Sequence, residues 1–274
     1  MQVDANTHAS APARQSFGVA DPLLMVSMLG VRFGGITALE DVAFDVAPGA
    51  VQGVIGPNGA GKTTLFNCIS RLYQPYRGSI RFEGAEILGL PRHAIARLGI
   101  ARTFQNVALF NTMSARDNVL VGGHVLGKGG FVANAARLPR ATAAARAVGA
   151  DVDRILELLG LMPVASKPAG ALPFGTRKRI ELARALAGRP KLLLLDEPAA
   201  GLNHEEVDQL GELVVRLRQE FGLTVLLVEH HMRMVMGICD RIVALNFGRK
   251  IAEGTPREVR EHPDVVRAYL GADG

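Results

Sequence analysis

Apolar residues along the chain follow two different spacings, and together these predict an α/β fold. Short runs rich in Val, Ile and Leu predict β-strands, several of them apolar throughout as in buried parallel sheets. These strands are predicted over residues 25–33, 38–46, 50–56, 79–84, 191–198, 223–230 and 241–248. Apolar positions three or four apart predict helices over 64–73, 91–99, 151–161, 177–187, 203–222 and from 256 onward. Asn203 is predicted to cap the fifth of these helices, and Thr255 and Glu258 are predicted to form a capping box at the start of the last. Strands that alternate with helices indicate a sheet covered by helices.

Two stretches depart from this alternation. Residues 1–22 are rich in Ala, Ser and polar side chains without periodicity, which predicts a disordered N-terminal tail. From about 106 to 175 the pattern becomes helical and rich in Ala and Gly. We therefore expect one main domain over 23–272 with a helical subdomain inserted at 106–175.

The segment GPNGAGKTT joins a predicted strand to a predicted helix and matches the phosphate-binding pattern G-x-x-x-x-G-K-[ST]. Glycines let backbone N–H groups turn toward a phosphate, and the following helix N-terminus adds a favourable dipole. Lys62 would reach the β- and γ-phosphate oxygens, and the Thr63 hydroxyl would bind Mg²⁺. The predicted nucleotide-binding residues of this loop are Gly56, Pro57, Asn58, Gly59, Ala60, Gly61, Lys62, Thr63 and Thr64.

Polar residues at the ends of two predicted buried strands are candidates for the chemistry. Asp196 and Glu197 end one strand, at the edge where α/β sheets bind ligands. We expect Asp196 to bind Mg²⁺ and Glu197 to orient or deprotonate an attacking water, rather than being two solvated carboxylates. His230 ends strand 223–230 and is predicted to hydrogen-bond the γ-phosphate. The adjacent His231, and a purely structural histidine, remain alternatives.

The stretch LPFGTRKRIELARAL, residues 172–186, places three cations ahead of an apolar-periodic run. Thr176 is predicted to cap a helix there, which puts residues 177–179 in its first turn. Cations at that end oppose the helix dipole and cost up to ~1 kcal/mol each when exposed. Either Glu181 and solvent screen them or an anion binds to them, and the residues alone leave both possibilities open.

Composition bears on three questions: whether the chain binds nucleic acid, whether it works in a reducing compartment, and whether it spans a membrane. The net charge is +5, but the 31 basic residues are mostly arginines scattered along the chain, so we expect no nucleic-acid partner. Cys68 and Cys239, the two cysteines, lie in unrelated contexts, which argues against a disulfide framework or a cysteine metal site and favours a reduced, cytosolic home. No uncharged apolar run approaches the ~20 residues of a membrane span, so we expect a soluble chain.

The order of these motifs resembles that of the ATP-binding subunits of ABC transporters, over nearly all of residues 23–272. GPNGAGKTTLFNCISRLY, GIARTFQN, DEPAAGLN and the ending EGTPREVREHPDVVRAYLG are most similar to the importers of branched-chain amino acids. The resemblance implies an α/β P-loop NTPase core of the ABC type, with a mostly parallel sheet, an antiparallel β subdomain and the inserted helical subdomain. It implies ATP and Mg²⁺ as ligands.

The resemblance also assigns roles to single residues. Phe33 matches the aromatic residue that stacks on adenine, and Gln105 matches the glutamine that senses Mg²⁺ and the attacking water. Gly175 matches a glycine of the Leu-Ser-Gly-Gly-Gln signature, which contacts the γ-phosphate held by the opposite subunit. The signature departs here, since Pro173 replaces serine and Phe174 replaces the first glycine. Proline donates no hydrogen bond, so the serine contact is lost.

By the same resemblance, two ATP-binding subunits pair head to tail over two ATP molecules, as a homodimer or a heterodimer. The implied partners are two membrane permease subunits and, indirectly, a solute-binding protein, at the cytoplasmic face of the inner membrane. The implied cargo is a branched-chain or other hydrophobic amino acid. Alternatives are another cargo such as urea or amides, a soluble ABC ATPase outside transport, or a small-molecule kinase.

Overall fold

The computed structural model describes residues 21–103, 107–126 and 139–270. The strands of these residues are β1 (Leu24–Phe33), β2 (Ile36–Val46), β3 (Val51–Ile55), β4 (Arg77–Phe82), β5 (Ala85–Glu86), β6 (Ile100–Arg102), β7 (Leu192–Asp196), β8 (Thr224–Val228), β9 (Arg241–Asn246) and β10 (Arg249–Gly254). Their helices are α1 (Lys62–Ile69), α2 (Arg92–Leu98), α3 (Ala115–Gly123), α4 (Pro139–Leu158), α5 (Phe174–Ala187), α6 (His204–Phe221), α7 (Met232–Ile238), α8 (Pro256–Glu261) and α9 (Pro263–Leu270). The predicted tail lies almost wholly outside the described residues.

The larger sheet has the strand order β10-β9-β3-β8-β7-β6. Its pairs are parallel except for β10, which runs antiparallel at the edge, so the prediction of a mostly parallel sheet is confirmed. Strands β3, β8 and β7 are buried along their whole length, as their apolar sequences predict. Val54 and Asp196 both pair with Val228, so these three strands end at the same edge.

The smaller sheet is antiparallel, in the order β2-β1-β4-β5, which confirms the antiparallel β subdomain. Helix α1 lies between the two sheets. Its buried residues Leu65, Phe66 and Ile69 pack in one core cluster with residues of both sheets, among them Phe44 and Leu194. The helix that follows the predicted phosphate loop is therefore enclosed by the core.

Helices α3, α4 and α5 pack against one another beside the larger sheet. Ile155 of α4 and Ile180 of α5 share a second core cluster with Leu193 and Leu195 of β7. Helix α5 thus connects the helical region to the strand that carries the predicted acidic residues. Among the described residues, no helix is long and apolar enough to cross a membrane.

The predicted strand over 223–230 extends two residues too far at its C-terminal end. Strand β8 ends at Val228, because the carboxylate of Glu229 then accepts the backbone N–H groups of His230 and His231 at 2.8 and 3.1 Å. These side-chain bonds satisfy backbone donors outside the ladder of the sheet. The prediction that His230 closes the strand is therefore wrong, since Glu229 separates it from the last strand residue.

Two of the three predicted N-cap residues cap a helix in the structure, and one does not. Asn203 caps α6 and Thr255 caps α8, each in a reciprocal capping box with the residue three positions on, which confirms both predictions. Thr176 caps no helix, because α5 already begins at Phe174 and follows the extended backbone of Pro173. The cations at 177–179 consequently lie in the second turn of α5.

Candidate active site

The loop of residues 56–61 connects β3 to α1 and has a backbone that only glycine fits at two positions. Gly56 has φ 153° and Gly61 has φ 100°, in the region that side chains rarely adopt. A Cβ on Gly56 would lie 2.2 Å from the carbonyl oxygen of Leu245, and one on Gly61 would lie 2.7 Å from that of Ala38. The glycines of the motif therefore let the loop pack against neighbouring backbone.

Lys62 opens α1 and is buried beneath this loop. Its Nζ donates to the carbonyl oxygens of Gly56 and Pro57 at 2.7 and 2.9 Å. Burial lowers the pKa of Lys62, and the carboxylates of Glu197 and Asp196 oppose that shift. Lys62 follows the loop after β3, and the two acidic residues lie at the end of β7, so all three residues lie at the same edge of the sheet.

The N-terminus of α1 is open to a ligand. Gly61, the residue before the helix, makes no side-chain cap, and Thr63 and Asn58 are exposed. An anion bound there would cap the helix in place of a side chain. The hydroxyl of Thr63 and the carboxylate of Asp196 are oxygen donors of the kind that Mg²⁺ prefers, so this donor set fits the metal.

Asp196 forms a buried ion pair that the sequence did not predict. Its Oδ2 lies 2.7 Å from Nη2 of Arg102, and both side chains are less than a tenth exposed. The same guanidinium donates from Nη1 to Oδ1 of Asn67 at 2.8 Å and to Oγ of Ser70 at 3.2 Å. Arg102 thus ties the predicted Mg²⁺ residue to the helix that starts at the phosphate loop.

Glu197 follows the strand in a strained turn. Its φ is 47°, a left-handed conformation that costs a non-glycine residue about 1–2 kcal/mol. Its N–H donates to the carbonyl oxygen of Val228 at 2.9 Å, which fixes the turn against the end of β8. A strained backbone held by its surroundings is common where a side chain must be placed for function.

Glu229 is a second residue that the sequence reading missed. It is fully buried, and its carboxylate accepts N–H groups from both sides of the site, from Ala199 at 2.7 Å and from His230 at 2.8 Å. The His230 side chain is 53% exposed, with Nδ1 3.7 Å from Oε2 of Glu229 and its ring 4.5 Å from that of His231. The structure therefore brings both histidines to the same edge.

The remaining predicted residues lie around this edge or outside the described part. Phe33, at the end of β1, is 45% exposed and packs edge to face on Tyr73, with ring centroids 5.0 Å apart. Gly175 lies in the first turn of α5, where a Cβ would be 3.5 Å from Oε1 of Glu206. Gln105 falls outside the described residues.

Family comparisons agree with this arrangement. A model described as ABC transporter matches residues 39–200, more than half of the chain. The chain belongs to the ABC transporter family. A second model, for branched-chain amino acid ATP-binding cassette transporters, matches residues 249–274 of this ABC subunit.

Relatives of this ABC subunit span nearly its whole length. It is 48% identical to the high-affinity branched-chain amino acid transport ATP-binding protein BraF of Pseudomonas aeruginosa, over 91% of this chain and 98% of the relative. It is 44% identical to the corresponding protein LivG of Escherichia coli, over 92% of this chain and 99% of the relative. Both relatives carry names that state ATP binding and amino-acid transport.

Solved structures support the fold of an ABC ATPase. One is the ADP conformation of an ATP-binding cassette of an ABC transporter, with a TM-score of 0.78 and 29% identity over 91% of this chain and 99% of the other. A nucleotide-free cassette gives a TM-score of 0.78 and 30% identity, over 90% and 98% of the two chains. The ABC-type P-loop fold implied by the motifs is therefore confirmed.

Proposed function

We propose that this chain is the ATP-hydrolysing subunit of an importer that moves branched-chain or other hydrophobic amino acids through a membrane permease. One observation carries the ATPase part: the glycine-fitted loop, Lys62 and the carboxylates of Asp196 and Glu197 meet at one edge of the parallel sheet. The cargo part is supported by the names of the relatives and by the family model that matches the C-terminal residues.

The residues of this edge would divide the work. The loop N–H groups and Lys62 would hold the β- and γ-phosphates, and Phe33 would stack on the adenine ring. Thr63, Asp196 and Gln105 would hold Mg²⁺, which neutralises phosphate charge when bound. Glu197 would accept a proton from the attacking water, and His230 would donate a hydrogen bond to the γ-phosphate.

The active unit would be a head-to-tail dimer with a second ATP-binding subunit. Gly175 of one chain would place its N–H and the dipole of α5 against the γ-phosphate bound to the other. Movement of the helical region would then act on two permease subunits, supplied with cargo by a solute-binding protein. We place the subunit peripherally at the cytoplasmic face of the inner membrane.

The ATPase proposal is tested with Glu197→Gln. We expect the variant to bind ATP as wild type does, while steady-state hydrolysis falls at least about 100-fold, because the amide cannot accept the proton. Glu205→Gln, in the exposed first turn of α6, is the matched control and should leave turnover unchanged. Wild-type turnover of Glu197→Gln would remove this residue from the water-activating role.

The cargo proposal is tested on the complete transporter in liposomes that contain ATP. The subunit would be purified in complex with its permease subunits and combined with the solute-binding protein. We expect ATP-dependent uptake of leucine, isoleucine or valine, and little uptake of urea or acetamide. The opposite selectivity would refute the branched-chain assignment and leave the ATPase proposal intact.

A further inference from the structure

A lysine of helix α5 forms hydrogen bonds with the backbone of the turn that contains Glu197. Lys178 donates from Nζ to the backbone carbonyl oxygens of Ala200 at 2.7 Å and Pro198 at 2.9 Å, and reaches that of Glu197 at 3.5 Å. All three acceptors belong to residues 197–201, which we call the Glu197 turn. The sequence left solvent, Glu181 or a bound anion as possible partners of this cation, and the structure directs it at backbone of its own chain.

The backbone N–H groups of the Glu197 turn are bound as well as its carbonyl groups. The N–H of Ala199 donates to Oε1 of Glu229 at 2.7 Å, and both residues are fully buried. A cation thus binds the carbonyl groups of the turn while a buried carboxylate binds an N–H group. The two side chains come from different elements, α5 and the end of β8, and fix the turn between them.

Phe174, which replaces a signature glycine, contacts the same turn. A Cβ added to Gly201 would lie 3.2 Å from Cε1 of the Phe174 ring, so the ring packs directly over this glycine. The ammonium of Lys178 lies 5.2 Å from the centroid of the same ring, within cation–π range. The departure from the usual signature therefore adds a contact between α5 and the turn.

The contacts of the Glu197 turn accompany two energetic costs, a strained backbone at Glu197 and the partial burial of the Lys178 ammonium. The left-handed backbone of Glu197, with φ 47°, needs support from its surroundings. Burial also lowers the pKa of Lys178, an effect that the carboxylates of Glu229, Glu181 and Glu197 oppose. A lysine that loses hydration in order to bind three carbonyl groups is placed for those bonds and not for solubility.

We propose that Lys178 is a positioning residue for hydrolysis: through the Glu197 turn it sets where the Glu197 carboxylate lies and couples that position to helix α5. The inference rests on the proposed ATPase function. When α5 meets the nucleotide of the opposite subunit, its displacement would be passed to the turn through the Lys178 ammonium. Lys178 itself touches backbone and acts through it.

The test compares Lys178→Met, Lys178→Arg and a matched control. Lys191→Met removes a lysine whose ion pair with Glu83 is exposed, at 2.6 Å. We expect Lys178→Met to lower kcat about 10- to 100-fold, as displaced catalytic groups do, while KM and ATP affinity stay within about twofold. Lys178→Arg should restore most of kcat, because a guanidinium can also donate to several carbonyl groups. Lys191→Met should match wild type.

Amide hydrogen exchange gives a second readout that needs no turnover. The N–H groups of Ala199, Ala200 and Leu202 should exchange at least about tenfold faster in Lys178→Met than in Lys191→Met. Unchanged kcat and unchanged exchange in Lys178→Met would overturn the inference. So would a fall in kcat that comes with general unfolding and is not restored by Arg. If the wild-type chain hydrolyses no ATP, the proposed function fails, while the exchange rates still show whether Lys178 stabilises the Glu197 turn.

Discussion

The two regions predicted to meet phosphate, the loop before α1 and the start of α5, are stabilised in different ways. In the loop, a Cβ at Gly61 would lie 2.6–2.7 Å from Leu39 and Ala38, so the local sequence has little freedom. At Gly175 the nearest atom would be at 3.5 Å, an ordinary contact distance. The loop is constrained by close backbone packing, whereas α5 is fixed by long side chains. We therefore expect an alanine to be tolerated better at Gly175 than at Gly61.

The largest predicted effect tests the Arg102–Asp196 ion pair, which joins the helix after the phosphate loop to strand β7. Arg102→Met should lower the free energy of unfolding by about 3–5 kcal/mol, because it leaves Asp196 buried without its ion-pair partner. Arg154→Met is the control, since its pair with Glu220 is exposed, and it should cost less than about 1 kcal/mol. Urea unfolding measures both. If both variants lost a similar, small free energy of unfolding, Arg102 would not be the residue that joins α1 to β7.

The next prediction compares the two glycines directly. Gly61→Ala should cost about 3 kcal/mol and abolish ATP binding, through the clash with Ala38 and a left-handed backbone. Gly175→Ala should change the stability of the monomer by less than about 1 kcal/mol, and in the favourable direction, because alanine is the better helix former. Urea unfolding and nucleotide titration measure these effects. Similar losses in both variants would contradict the contrast drawn between the regions.

A smaller effect is expected from pH, through the helix below the loop. Burial raises the pKa of the Cys68 thiol to about 12, from an ordinary value near 9.0. Above pH 9 the unfolded chain then binds fewer protons than the folded one, so stability falls as pH rises. Between pH 8 and 10 wild type should lose about 1.4 kcal/mol more than Cys68→Ala. Parallel pH profiles would mean that α1 is less closed than its burial indicates.

The smallest effect concerns the start of α5. Pro173 precedes the helix and supplies no side-chain cap, so Pro173→Ser should add about 0.5–1 kcal/mol through a new N-cap bond. It should also strengthen ATP-driven dimerisation modestly, measured by sedimentation in the Glu197→Gln background. Adding Phe174→Gly should reverse the stability gain, since that ring packs over Gly201. A dimer affinity unchanged by serine would show that the departure at Pro173 does not weaken closure.

Features whose cause is local were predictable from the sequence. The buried strands, the glycine loop and the capping boxes of Asn203 and Thr255 each depend on residues a few positions apart. Thr176 failed as a cap because the preceding extended backbone, ending in Pro173, starts the helix earlier. A capping residue predicts a helix start only when the residues before it leave the helix unformed.

Partners distant in sequence could not be predicted. Arg102 pairs with Asp196, 94 residues away, and Glu229 binds the N–H of Ala199, 30 residues away. Arg102 lies outside every predicted strand and helix, and Glu229 lies inside the predicted strand over 223–230, so the sequence specified a partner for neither. Only the order of strands in the sheet brings these groups together.

The sequence by itself determined the phosphate loop, the strand that ends in Asp196 and the alternation of strands and helices, because these follow from backbone conformation and local periodicity. The tertiary structure decided where the charges of α5 point. Lys178 was one of three cations with no assigned partner, and it lies on carbonyl groups about 20 residues further along the chain. The physical reason is burial. An ammonium group removed from water must form hydrogen bonds with the acceptors that the fold places beside it.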